Sequence, residues 1–265
     1  MNGNQPTPLL SVRGLNAWYE SNSLFRPRTP ARRVLDGVSL EIGEGEVLGL
    51  VGESGCGKTT LARALLGLSR TWSGTVAWSG TVLPAGKGTP AAKLGVQAVF
   101  QDPYSSLNPS KRIGWLLEEP LRVQRIGDAS TRRAMADAML LKVGLDPGYR
   151  DRYPAELSGG QRQRIAIGMG LITRPKLLVA DEPVSSLDVS VQAQILNLMK
   201  DLQEEYGFSC LFITHSLRVV RFMAGRIAVM QGGRIIENAS TEKLFSAPEH
   251  PYTRSFLAGE AKEVR

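Results

Sequence analysis

Val47-Leu48-Gly49-Leu50-Val51-Gly52-Glu53-Ser54-Gly55-Cys56-Gly57-Lys58-Thr59 decides the architecture of this chain. Its first five residues are a continuous apolar run of the kind a strand buried on both faces presents, and Lys58 to Gly67 reads as a helix. Between them Gly52 to Thr59 satisfies G-x-x-x-x-G-K-[ST] in the strand, loop, helix order that the motif demands. Glycines admit positive φ, so successive backbone N–H groups and the helix N-terminus converge on a polyphosphate. Lys58 is the point charge for the outer phosphates and Thr59 the hydroxyl for Mg2+, with Glu53, Ser54, Gly55, Cys56, Gly57 and Thr60 completing the nucleotide contacts.

Upstream of this loop, Leu9 to Glu20 and Val34 to Ile42 read as strands, the second with period-two alternation, and a Pro- and Arg-rich loop joins them. Downstream, Gly74 to Trp78 and Leu94 to Phe100 are further strands, parted by the Gly- and Pro-rich stretch Pro84 to Pro90. From Ile113 to Gly144 apolar residues recur at three- and four-residue spacing, which predicts an inserted helical subdomain. Leu177 to Ala180, a helix over Ser190 to Glu205, and Ser209 to Thr214 then make a strand, helix, strand unit of a parallel sheet. Arg226 to Met230 and Arg234 to Glu237 are the last expected strands, and Glu242 to Leu257 reads as a surface helix with a Pro-bounded loop.

The acids Asp181 and Glu182 end the apolar run Leu177 to Ala180, at the edge where an α/β sheet presents its chemistry. Asp181, nearest the strand, is placed to hold Mg2+, and Glu182 to polarise an attacking water as general base. His215 closes the run Ser209 to Thr214 and is a candidate sensor of the terminal phosphate. The only other histidine, His250, has no such setting and no expected part in hydrolysis.

At 265 residues, 42% hydrophobic and 22% charged, the chain has material for a real core, and no apolar run approaches the roughly 18 residues that cross a bilayer. Met1 to Pro8 lacks the apolar segment of a secretory signal, and the two cysteines, Cys56 and Cys210, suit neither a disulfide framework nor a metal cluster, so a cytoplasmic protein is expected. The net charge of +7 invites a nucleic-acid reading, but apart from Arg26 to Arg33 the basic residues are dispersed and no aromatic-plus-basic RNA motif accompanies them. Anionic lipid at a membrane face favours the same sign of charge.

Between the phosphate loop and the acids lies Leu157-Ser158-Gly159-Gly160-Gln161. In this order and spacing the three elements resemble the nucleotide-binding domain of the ABC (ATP-binding cassette) ATPases, from about Leu9 to Leu257. The resemblance implies an α/β fold of the P-loop NTPase class, with a RecA-like core, an antiparallel β subdomain and an inserted helical subdomain. It implies one ABC domain over residues 1–265, with a catalytic core and β subdomain over about 8–110 and 165–240, a helical subdomain over about 111–164, and an extension over 241–265. It also implies that Gln101 contacts Mg2+ and relays nucleotide state to a membrane partner, that Asp188 lies at a dimer seam, and that Tyr19 stacks on adenine. Ser158, Gly159, Gly160 and Gln161 would serve ATP held by the opposite subunit.

Three stretches narrow the resemblance to the dipeptide, oligopeptide and nickel importer branch, second or "F"-type ATPase: Phe100 to Pro109, Arg152 to Arg164, and His250-Pro251-Tyr252-Thr253. Such a subunit, with ATP and Mg2+ as cofactors, drives uptake of peptides, nickel or metal-chelate cargo. Its partners are a second ATPase subunit, two membrane permease subunits and, indirectly, an extracytoplasmic binding protein, at the cytoplasmic face of the bacterial inner membrane. Three departures from the pattern stand out: Ser216 after His215 where Asp is general, Gly225 before Arg226 where an acid is usual, and Gly168-Met169-Gly170 in a usually alanine-rich helix, which at roughly 1 kcal/mol per glycine is expected to be locally weak. No cysteine follows Cys210, so no iron–sulfur centre is expected. A soluble ABC-type ATPase acting on ribosomes or nucleic acid generally has two cassettes or a coiled-coil insertion, and this chain has one cassette and no sustained heptads. A phosphate-loop kinase or GTPase leaves Leu157 to Gln161 and Gln101 without a role.

Overall fold

The computed structural model describes residues 7–19, 32–69, 72–83, 94–102 and 106–262. In chain order the strands are β1 (Leu10–Tyr19), β2 (Arg32–Ile42), β3 (Val47–Val51), β4 (Trp72–Trp78), β5 (Thr81–Leu83), β6 (Val96–Val99), β7 (Leu177–Asp181), β8 (Ser209–Ile213), β9 (Arg226–Gln231) and β10 (Arg234–Ser240). The helices are α1 (Lys58–Leu65), α2 (Ile113–Val123), α3 (Ala129–Lys142), α4 (Gly159–Leu171), α5 (Val189–Tyr206), α6 (Leu217–Met223), α7 (Thr241–Ser246) and α8 (Pro251–Lys262). They fall into two compact units, Met1–Leu94 with Ser209–Arg265, and Gly95–Phe208.

In the first unit, β2, β1, β4 and β5 form an antiparallel sheet in that order. The alternation of β2 is real along its second half, where Val38, Leu40 and Ile42 are buried while Ser39 and Glu41 are exposed. Strand β3 lies between β8 and β9 and runs parallel to both, while β10 returns antiparallel to β9. A strand flanked on both edges and covered on both faces has no solvent side, which is why Leu48, Leu50, Val51 and all of β8 are buried and no polar alternation is present. Val51, Leu217, Val220, Ala224, Ile227, Val229 and Leu244 form one core cluster, against which Phe245, Tyr252, Phe256 and Leu257 pack. The C-terminal segment, expected as a surface feature, thus contributes to this unit's core.

In the second unit, β6 and β7 pair in parallel, with Val99 opposite Ala180. The helical stretch expected from Ile113 to Gly144 is two helices, because Arg125 and Gly127 take φ of 58° and 61° and Asp128 restarts the chain as N-cap of α3. The Thr131 backbone N–H, donated to the Asp128 carboxylate at 2.7 Å, is the main reason that this carboxyl is lowered to about 2. Arg150, between the helices, bonds Glu118 at 3.3 Å and also Asp137.

Gly168 and Gly170, expected to weaken their helix, lie inside α4 at tight contacts. A Cβ on Gly168 would lie 3.1 Å from Met139 Cγ and 3.3 Å from Leu117 Cδ2, and one on Gly170 would lie 3.1 Å from Val99 Cγ2. A methyl at either site would require these side chains to give way by a few tenths of an ångström, a cost set against the helical propensity that alanine would add. A Gly168→Ala/Gly170→Ala variant should therefore not deliver the roughly 1 kcal/mol per site that the exchange supplies in an open helix. The expected result by thermal unfolding is a midpoint equal to or below that of the wild type.

Candidate functional site

The sequence places the glycine loop directly after β3, and the fold gives that position its meaning. Gly52 has φ 154°, and a Cβ there would meet the Met230 carbonyl oxygen at 2.1 Å, so only glycine lets the loop leave the sheet against β9. Glu53, Ser54 and Gly55 form the exposed crest, while Cys56, Gly57 and Lys58 are buried. Gly57, in the left-handed region, is the N-cap of α1, which has no side-chain cap and no acid in its first turn. The orphan N–H groups of the first turn therefore keep their capacity to bind an anion. Lys58 Nζ donates to the carbonyls of Gly52 at 2.7 Å and Glu53 at 3.0 Å, which holds the ammonium within the arc of the loop. Thr59 is exposed and Thr60 buried. Burial, foremost, raises the Cys56 thiol above its ordinary value against the pull of Lys58, so this cysteine packs as a neutral apolar group.

His215 is exposed two residues beyond β8, and β8 neighbours β3 with Leu50 opposite Ile213. Loop and histidine thus leave the C-terminal ends of adjacent parallel strands, the edge at which α/β sheets bind ligands. Ser216, at the position of the family's aspartate, accepts from Val219 N at 3.4 Å and caps α6, a duty that Asp performs equally well.

The second unit repeats this logic. Gln101 is exposed two residues beyond β6; Asp181 ends the neighbouring β7, only 5% exposed, with Glu182 directly after it. Glu182 has φ 51°, in the left-handed region that a non-glycine residue enters at a cost of order 1–3 kcal/mol. Its carbonyl accepts from Ser185 N and Oγ at 3.3 and 3.2 Å, the turn that stabilises this backbone. Strain of this kind concentrates where a side chain must be aimed.

Ser158 is the N-cap of α4, in a reciprocal box: its hydroxyl accepts from Gln161 N at 3.3 Å, and its own N–H donates to Gln161 Oε1 at 3.0 Å. Gln161 also donates to Tyr149 OH at 3.0 Å. A Cβ on Gly160 would meet Val191 Cγ1 at 2.6 Å, and one on Gly159 would lie 3.6 Å from Leu187 Cδ2. Asp188 caps α5 through Val191 N at 2.9 Å and also accepts from Ser190 Oγ at 2.7 Å; with the Ser190 hydroxyl as the first cause, its carboxyl is held below the ordinary range. Leu157 to Gln161 and Ser186 to Asp188 are therefore one packed surface within this unit.

The ABC transporter family model matches residues 35–185, more than half of the chain. The chain belongs to the ABC transporter family. This ABC ATPase is 48% identical to the "Dipeptide transport ATP-binding protein DppF" of Haemophilus influenzae over 95% of its own length and 78% of the relative's. It is 45% identical to the protein of the same name in Escherichia coli, over 95% of this chain and 76% of that one. Among solved structures it is similar to a dimeric ATP-binding cassette in a post-hydrolysis state bound to ADP and Pi, with TM-score 0.74 and 27% identity over 88% of this chain and 98% of that one. The expected P-loop fold and ATP hydrolysis coupled to transport hold for this ABC ATPase.

Sequence reasoning missed supporting residues in this ABC ATPase. Arg162 is 7% exposed, and its guanidinium donates to the carbonyls of Pro154 at 2.7 Å and Leu157 at 2.5 Å, fixing the approach to Ser158. The spacing Ser158-x-x-Gln161 is a legible capping-box signal, whereas no local pattern gives Arg162, though it lies in the branch stretch, or Tyr149 a supporting role. Tyr19 ends β1, and its side chain lies outside the described residues, as do Pro103, Tyr104 and Ser105 of the branch motif.

Proposed function

We propose that this ABC ATPase is the ATP-binding subunit of a bacterial peptide importer, peripheral at the cytoplasmic face of the membrane, which closes head to tail on a second ATPase subunit and drives two permease subunits. The observation that carries the reading is α1: an uncapped helix N-terminus behind an exposed glycine crest, with a buried lysine held inside the arc. Such a site selects a polyphosphate. The relatives named as dipeptide transport proteins over 95% of the chain support the cargo class, and no described helix is long and apolar enough to cross a membrane.

In this reading the crest and the N–H groups of α1 bind the phosphates, Lys58 moves from the loop carbonyls to the outer phosphates, and His215 donates to the terminal one. Glu182 orients and polarises the attacking water. Among the described residues no group of three His, Cys, Asp or Glu could cage a metal. The reading assigns Mg2+ to the Thr59 hydroxyl, the Gln101 amide oxygen and the Asp181 carboxylate, each a hard oxygen of the kind that the ion takes beside nucleotide phosphates. The ion, when bound, offsets charge developing on those phosphates. Ser158 to Gln161 present α4 to the partner's ATP, and Asp188, beside the 82% exposed Val189, lies at the seam.

The test is reconstitution of the assembled complex with its binding protein in liposomes. ATP-dependent uptake of a radiolabelled dipeptide is expected. Uptake of nickel or a metal-chelate with none of dipeptide would overturn the cargo class, and hydrolysis without any membrane partner on co-purification would overturn the importer reading in favour of a soluble ATPase.

A further inference from the structure

Gln161, Arg162, Gln163 and Arg164 are four long polar side chains in succession at the start of α4, and three of them are tied down. Gln161 bonds within the capping box and to Tyr149, and Arg162 donates to the Pro154 and Leu157 carbonyls. Arg164 donates to the Val143 carbonyl at 2.8 Å and to Gln194 Oε1 at 3.2 Å. Gln163 is the exception. It is 1% exposed, and neither its amide oxygen nor its amide nitrogen has a hydrogen-bond partner among the described residues. An amide buried in this way forgoes its hydrogen bonds to water and gains none in return, a cost that Leu or Met at the same place would not carry. Unpaired buried polar groups are rare enough in folded chains that each calls for a physical reason.

The helix fixes where this amide lies. Gly160, Gln163, Ile167 and Gly170 recur at three- and four-residue spacing and so share one stripe of α4. At one end of the stripe Val191 fills the place of a Gly160 side chain, and Leu187 Cδ2 lies 3.6 Å from where a Gly159 Cβ would stand. At the other end a Cβ on Gly170 would lie 3.1 Å from Val99 Cγ2 and 3.3 Å from Leu178 Cδ1. A helical side chain leans toward the N-terminus over the preceding turn, and for Gln163 that turn is Gly159-Gly160, which has no side chains to occupy the space. The stripe therefore lines β6, β7 and the start of α5, the elements that lead to Gln101, Asp181 and Asp188. One turn before Gln163, Ser158 to Gln161 present α4 to the partner subunit's ATP in the reading above.

We propose that Gln163 is a positioning residue of the shared ATP site: its amide, unpaired in this conformation, gains a hydrogen bond when α4 takes up the other subunit's nucleotide, and so favours closure. The proposal rests on the reading of Ser158 to Gln161 as the clamp on that nucleotide. A two-state equilibrium shifts only by the difference in free energy that a group contributes to the two states. An amide that is costly in one state and paired in the other contributes such a difference, and an apolar side chain of the same length contributes none. Removing the amide should thus act with opposite signs: the single chain becomes more stable and closure becomes harder.

The experiment compares wild type, Gln163→Met, Gln163→Leu and Ser158→Asp. Met keeps the unbranched length and the helical propensity of Gln and removes both polar atoms. Thermal unfolding of the full chain without nucleotide should place Gln163→Met about 2–4 °C above wild type. Its Kd for methylanthraniloyl-ATP with Mg2+ should stay within about twofold of wild type, since the phosphate loop belongs to the other compact unit. In the assembled complex its kcat/KM for ATP should fall about three- to tenfold. Gln163→Leu should move stability and turnover in the same directions, which covers the case of a Met variant that packs poorly. An unfolding midpoint at or below wild type in both variants would mean that the amide is already paired where it stands, by a protein group or a buried water, and would overturn the proposal. A raised midpoint with wild-type kcat/KM would overturn it as well. If Ser158→Asp hydrolysed ATP at the wild-type rate, the clamp reading itself would fall, and the proposal with it. Loss of hydrolysis in Ser158→Asp beside full hydrolysis in both Gln163 variants would remove the proposal alone.

Discussion

Replacing Glu182 by Gln should lower ATP hydrolysis by the assembled complex about 10²- to 10⁴-fold, the usual range for removing a general base, while nucleotide binding persists. The exchange preserves shape and removes the charge that polarises water. It also leaves the backbone as it is: the φ of 51° is sustained by the Ser185 bonds to the Glu182 carbonyl, which involve no side-chain atom of residue 182. The folded state should thus be unaffected, and thermal unfolding provides the control. Because binding is retained while turnover is lost, the variant should accumulate the closed, ATP-bound dimer, visible as a larger species by size exclusion in ATP. Turnover within threefold of wild type would remove Glu182 from its assigned role.

Exchanging Ser158 should produce the second large effect, and two substitutions separate its two duties. Ser158→Arg removes the cap of α4, worth about 1 kcal/mol, and puts a long side chain where a partner's phosphate is to sit. Ser158→Asp keeps the cap, since Asp accepts the same Gln161 N–H, but sets a negative charge toward that phosphate. Both should lower hydrolysis by the assembled complex about 10²- to 10³-fold, the effect typical of losing a preorganised donor. Only Ser158→Arg should lower the unfolding midpoint. Analogue binding to the isolated chain should match wild type in both, since the proposed target is nucleotide on the other subunit. Full hydrolysis with Ser158→Asp would contradict the shared site.

Legibility tracked locality. The phosphate loop could be read because its residues are contiguous and its chemistry lies in backbone N–H groups whose direction follows from strand, glycine turn and helix. Strands β3, β7 and β8 were legible as unbroken apolar runs because parallel strands covered on both faces leave no polar side. The break between α2 and α3 was missed although Gly127-Asp128 carries it, since the apolar spacing continues across the gap and periodicity ignores a turn that keeps phase. The capping box at Ser158 is legible because both of its bonds close within the four residues Ser158 to Gln161.

What required the fold were contacts between residues far apart in sequence. Gly160 reads as a motif glycine, and only the packing of α4 against α5 shows Val191 filling the space of its absent side chain. Gly168 and Gly170 read as weak points of a helix, and only the fold shows Met139, Leu117 and Val99 close around the places of their absent side chains. Tyr252 reads as a branch marker, and the fold stacks its ring on Phe256 and packs it against the core cluster that contains Val51. The chain order alone pointed to the family and to ATP hydrolysis, and it set the two acids at the end of an apolar strand, since these depend on residue type and short-range geometry. Which glycines are spacers and which polar side chains clamp was decided by tertiary structure, because excluded volume and buried hydrogen bonding are set by neighbours that the linear order leaves far apart.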